Sequence, residues 1–114
     1  MTITVRATMR VHSGRGEEFA ELVTALVEAT CDETGTLRYG WFESEDPDEY
    51  VVLEEYTDAD AAIAHNMQCS ALLERVPEVA EMTSAHLHGV LGPDLTAWIA
   101  DRPQAHAHPP MRHL

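Results

Sequence analysis

The sequence predicts an α+β domain of the ferredoxin-like kind, with elements in the order β-α-β-β-α-β, a split βαβ arrangement. Three observations predict it. Residues 2–12 alternate polar and apolar side chains, the period of a half-buried strand. Residues 16–33 carry an apolar stripe at helical spacing. Residues 36–57 read as a strand, a turn and a strand, and run straight into a capped helix.

In the first strand Ile3, Val5, Ala7, Met9 and Val11 form one face, and Thr4, Arg6, Thr8 and Arg10 the other. Ser13-Gly14-Arg15-Gly16 is a turn. In the helix that follows, Phe19, Leu22, Val23 and Leu26 recur at i, i+3, i+4 and i+7, with Glu17, Glu18 and Glu21 at its positive N-terminal end. Gly35 is placed to cap its C-terminus. The second strand covers residues 36–44 and the third 49–57, with Glu45-Asp46-Pro47-Asp48 as the hairpin turn. Thr57 stands at an N-cap position, with Asp60 three residues on, and opens a helix over 58–67. A short helix begins near Ser70 and is expected to stop at Pro77. Residues 81–91 form the fourth strand, with Thr83, Ala85, Leu87 and Leu91 on one face and Ser84, His86 and His88 on the other. Residues 1–92 are therefore read as the folded domain. Residues 93–114 follow as an amphipathic helix carrying Leu95, Trp98 and Ile99, then a Pro- and His-rich tail expected to be poorly ordered.

A chain of 114 residues makes one domain, long enough to bury a core. Its net charge of −13 speaks against nucleic acid and anionic membrane surfaces as partners. No apolar run reaches the roughly 20 residues needed to span a bilayer, and the N-terminus lacks the apolar stretch of a signal peptide. All seven basic residues are Arg, the mark of a GC-rich, bacterial gene, so lysine chemistry of the Schiff-base or P-loop kind is absent. Cys31 and Cys69 have no paired spacing and read as two reduced thiols of a cytoplasmic protein. No nucleotide-binding, nucleophile-elbow or zinc-protease motif occurs, so no cofactor is expected.

The candidate site residues follow from this frame. His65, late on the second long helix, is a proton acceptor, since imidazole titrates near neutral pH. Asn66 can donate to a substrate carbonyl, but it points about 100° away from His65 around the helix, so the two are not expected to reach one ligand. With strand one between strands three and four, Arg6, Arg10, Glu54, Tyr56, His86 and His88 are expected to share the face of the sheet without helices. Arg6 there would stabilise an oxyanion while His or Glu moves protons; the plainer reading is a salt-bridged interface. His86-Leu87-His88 has the form of a metal pair, but Glu54 is its only evident third ligand and the tail histidines are weaker candidates, so no metal centre is expected. Phe42, with Tyr39, Trp41, Tyr50 and Tyr56, suits a flat aromatic ligand wherever these rings line a cavity. The bare sheet face is partly apolar and calls for a second copy, so a homodimer is expected.

The chain resembles the antibiotic biosynthesis monooxygenase family of dimeric α+β barrel proteins over residues 1 to 91. The residues that carry this are Ser13-Gly14-Arg15-Gly16 with Glu17-Glu18-Phe19, then Gly35 to Tyr39, Tyr50 to Tyr56, and the helix ending at His65. His65 matches a helix histidine of that family. Tyr56 stands where the family commonly has Trp, and Gln68-Cys69-Ser70 replaces a Pro-His pair, so a second histidine is missing. The resemblance implies a homodimer that oxidises a small hydrophobic, aromatic or quinol-like substrate with molecular oxygen, using neither metal nor flavin. His65 would be the base, with Arg6, Tyr56 and Glu54 beside it, and Asn66, His86, His88, Phe42 and Arg10 would contact the substrate. Two other readings share the fold: a haem-binding and haem-degrading protein with His65 or His86 as axial ligand, and a non-catalytic ligand-binding dimer.

Overall fold

The computed structural model describes residues 1–114. Five strands form one sheet: β1 (Ile3–Val11), β2 (Thr36–Glu43), β3 (Glu49–Tyr56), β4 (Ala80–His88) and β5 (Ala105–His108), in the spatial order β2-β3-β1-β4-β5. The helices are α1 (Gly16–Thr30), α2 (Ala59–Gln68), two single turns α3 (Ser70–Leu73) and α4 (Val76–Val79), and α5 (Gly92–Ala100). The ferredoxin-like α+β order holds, with β1 antiparallel to both β3 and β4.

The alternation in β1 is the strongest local signal, and the fold obeys it. Ile3, Val5, Ala7, Met9 and Val11 are all buried against the helices, and Arg6 and Arg10 are exposed on the open face. Phe19, Leu22 and Leu26 bury one stripe of α1 on the same side, where Phe19 packs against Trp41 and Tyr50. Leu87, Leu91 and Leu95 close the other half of the core with Ile3 and Val52.

Several local expectations shift. Asp58, not Thr57, caps α2: its carboxylate accepts from the Ala61 N–H at 2.8 Å. The Thr57 N–H instead donates to the Gly35 carbonyl at 2.9 Å and ties the start of α2 to the segment after α1. Pro77 does not end a helix but sits in the first turn of α4, where its missing N–H has no partner to lose. In β4 a bulge opposite Thr8/Met9 changes the phase, so Met82 and Ala80 turn inward with Ala85 and Leu87 while Thr83 is exposed. The tail also departs from expectation. Ala105–His108 forms β5, parallel to β4, with Ala105 opposite Ala85 and buried.

Gly35 does not cap α1, whose C-cap is Cys31. Its role is close approach: a Cβ there would stand 2.6 Å from the Ala61 Cβ. Gly35→Ala must push α2 away from the loop that follows α1. We expect a loss of about 1–3 kcal/mol of stability, the usual cost of overpacking, read as a lower urea midpoint. An unchanged midpoint would show that α2 moves freely against this loop.

Candidate active site

The sheet register decides which side chains meet. Val5 lies opposite Glu54 and Ile3 opposite Tyr56, while Tyr39 lies opposite Glu54 and Trp41 opposite Val52. Directly paired residues share a face, so Glu54, Tyr56, Tyr39 and Trp41 all point toward the helices. Arg6 lies opposite Leu53 and His86, on the other face. This corrects the shared face read from sequence. Arg6, Arg10, His86, His88 and Phe42 are on the open side, and none of them lines the cavity under the helices. Arg10 pairs there with Asp46 at 2.7 Å, and Phe42 is 45% exposed. The third ligand suggested for His86 and His88 fails for the same reason, since Glu54 is across the sheet.

Between the sheet and the helices lies a cavity of about 790 Å³, the size of a small-molecule site. Sixteen of its 26 lining residues are hydrophobic, which favours an apolar ligand. Its walls include Val5, Tyr39, Trp41, Leu95 and Trp98, and His65 and Asn66 both border it. The helical offset between His65 and Asn66 therefore does not separate them, because the cavity is wide enough to meet adjacent positions of α2.

His65 is 2% exposed. Its Nδ1 lies 2.8 Å from Glu33 Oε1, and its Nε2 lies 3.9 Å from Glu54 Oε1. The Tyr56 hydroxyl donates to that same Glu54 oxygen. The rings of Tyr39 and Tyr56 pack against the imidazole at centroid distances of 5.0 and 5.5 Å. Glu33 is fixed in turn: Oε1 also accepts from the Thr36 hydroxyl at 2.8 Å, and the Cys69 thiol lies 3.7 Å from Oε2. A carboxylate at Nδ1 places the ring proton there and leaves the Nε2 lone pair for chemistry. Glu33, His65, Glu54 and Tyr56 thus form one chain of proton-handling groups at the wall of an apolar cavity.

Sequence reasoning missed Glu33, which was read as the end of the first helix and is 32 residues from His65. One signal was available. An acidic pair, Asp32-Glu33, is unfavourable in a last helical turn, where the backbone dipole is negative, and α1 in fact ends at Thr30. Cys69 occupies the place where a second histidine was sought. Its thiol lies 3.8 Å from His65 Nδ1 and 3.8 Å from the Thr30 hydroxyl, and burial pushes its pKa up. The Glu33, His65 and Cys69 ligand atoms lie within 4.8 Å of one another, a spacing that could hold a metal ion, although a protonated thiol is a poor ligand.

Burial raises the Glu54 carboxyl above its ordinary value, and the Tyr56 hydroxyl and His65 only partly oppose this. Burial, then the charge of Glu54, drives the Tyr56 phenol far upward, so Tyr56 stays a neutral donor. Burial likewise raises Tyr39. A carboxyl whose folded pKa is raised costs nothing below its unfolded value. It destabilises increasingly as pH rises through the folded one. Glu54→Gln keeps an acceptor for Tyr56 and removes the charge. We expect it to raise the melting temperature at about pH 8 and to have little effect near pH 4, below the unfolded value. Destabilisation that grows with pH would mean the ionised form is favoured by the fold.

The comparisons with known proteins agree with this architecture. The antibiotic biosynthesis monooxygenase family matches residues 2–68, a span that holds Glu33, Glu54, Tyr56 and His65. No protein of curated function matches the sequence. Among solved structures, MupZ from Pseudomonas fluorescens superposes with a TM-score of 0.82 at 19% identity, over 99% of this chain and 93% of that one. A conserved protein from Methanosarcina mazei gives 0.71 at 25% identity, over 76% and 90%. SnoaB from Streptomyces nogalater, a cofactor-independent oxygenase, gives 0.66 at 18% identity, over 75% and 89%. MupZ and SnoaB, at these identities, show likeness of fold alone, but the family match spans more than half of the sequence. The chain belongs to the antibiotic biosynthesis monooxygenase family.

Proposed function

We propose that this protein is a cofactor-independent monooxygenase acting on a small, flat, aromatic or quinol-like compound. The observation that carries the reading is a buried imidazole, held by a carboxylate, at the wall of a large apolar cavity. His65 Nε2 takes a proton from a substrate carbon or hydroxyl activated by a neighbouring phenol or carbonyl. Arg6 cannot hold the resulting anion from the far side of the sheet. The Trp41 indole N–H is buried near the Tyr39 phenol without a well-formed hydrogen bond, and its ring borders the cavity. That donor, with the Asn66 amide, is suited to the developing negative oxygen.

The electron-rich anion then reacts with oxygen directly, and the substrate supplies the electrons. A CH2 group becomes a carbonyl: one atom of O2 enters the product and the other leaves as water. The SnoaB likeness supports this class of chemistry without naming the substrate. The open face, with Phe42 45% exposed, supports closure against a second copy.

The test is oxygen uptake by the purified protein with anthrone- and naphthol-type compounds, with a chelator present. Uptake equimolar with product, and a single labelled oxygen in the product from labelled O2, is the expected result. Tight binding of these compounds with no uptake above the uncatalysed rate would replace the oxygenase with a binding module.

A further inference from the structure

The strand β5 brings two His-x-His pairs side by side. In the parallel register His86 faces His106 and His88 faces His108, all four on the open side of the sheet. The rings pack closely, with centroid distances of 5.2 Å for His86 and His106 and 4.7 Å for His88 and His108. Across the diagonal, His86 Nδ1 and His108 Nε2 stand 2.9 Å apart.

We propose that His86, His88, His106 and His108 form a binding site for a first-row divalent metal, of the copper(II) or nickel(II) kind. Four imidazoles and no carboxylate make a donor set that selects such ions over magnesium or calcium. The 2.9 Å contact between His86 Nδ1 and His108 Nε2 is a hydrogen bond, and an entering metal would displace its shared proton as the rings turn their lone pairs inward. His88 is already oriented: its Nδ1 lies 3.3 Å from the Thr4 carbonyl, which leaves Nε2 free, the usual outer contact of a ligating histidine. In the single chain His88, His106 and His108 are exposed, so their rings are free to turn.

Arg6, aligned with His86, is the cation that opposes an incoming metal, against a net chain charge of −13.

The test is titration of the tag-free, full-length protein with Cu2+, followed by calorimetry and electron paramagnetic resonance. About one Cu2+ per chain, with nitrogen hyperfine structure from imidazole, is expected. Replacing both His86 and His108 by Gln should weaken binding by roughly 100-fold, with the melting temperature and the oligomeric state of the metal-free variant as controls, because both rings lie on the open face. His113→Gln and Cys69→Ser should leave binding intact. Undiminished affinity in the His86/His108 variant would overturn the site. Loss of binding in Cys69→Ser would overturn it too, and move the ion to Glu33, His65 and Cys69.

Discussion

His65→Asn is expected to lower turnover by about 10²–10⁴-fold, the range over which a positioned general base acts. Asparagine suits the test better than alanine. Its amide N–H2 takes the place of Nδ1 and can still donate to Glu33, so the buried carboxylate keeps a partner and the fold is spared an unpaired charge. What is lost is the lone pair at the position of Nε2, which faces Glu54 at the cavity wall. Substrate affinity should change little, because the apolar lining and Trp41 remain. The measurement is oxygen uptake across a substrate series, with the melting curve as control. Wild-type turnover in a folded variant would remove His65 as the base.

Glu33→Gln should lower turnover by a comparable factor, on the order of 10²–10⁴-fold, by removing the charge that stabilises the imidazolium formed when His65 takes a proton. Glu33 contacts His65 and not the cavity, so it is a positioning residue. With a carboxylate at Nδ1, the proton sits on Nδ1. The Thr36 hydroxyl donates to the same Oε1 that faces Nδ1, so it keeps the amide oxygen there and the ring proton stays on Nδ1; the variant loses the charge and not the tautomer. The signature that separates this from a structural role is the pH profile. The limb at low pH, where the base must be free of its proton, should shift while binding of a non-reactive substrate analogue stays constant. Glu33→Asp should recover part of the rate. A loss of stability equal in all variants, with no change in profile, would make Glu33 merely structural.

The elements were legible in the sequence where their signal is local. Ile3 to Val11 alternate because one face of β1 meets the core, and Phe19, Leu22 and Leu26 recur because one stripe of α1 does. The β-α-β-β-α-β order followed from these periods, and the resemblance to the family from motifs such as Ser13 to Phe19 and the helix ending at His65. The face of β3 was not legible. Tyr50, Val52, Glu54 and Tyr56 on one side and Val51, Leu53 and Glu55 on the other are equally mixed, so periodicity cannot choose between them. Pairing with β1 chooses, and it put Glu54 and Tyr56 beside His65 and not beside Arg6. The bulge in β4 and the strand β5 were hidden for a related reason, since each is a relation between two strands and not a property of one.

By itself, the sequence determined that this is a small, acidic, ferredoxin-like domain and that His65 is the histidine to examine. Short-range sterics and hydrophobic period act over neighbouring residues and leave their pattern in the chain. Only the tertiary structure decided what His65 touches. Glu33 and Glu54 reach it from the loop after α1 and from β3, 32 and 11 residues away in the chain. The tail histidines reach β4 in the same way. Such contacts are set by strand register and by helix packing on the sheet, and no local spacing in the sequence encodes either.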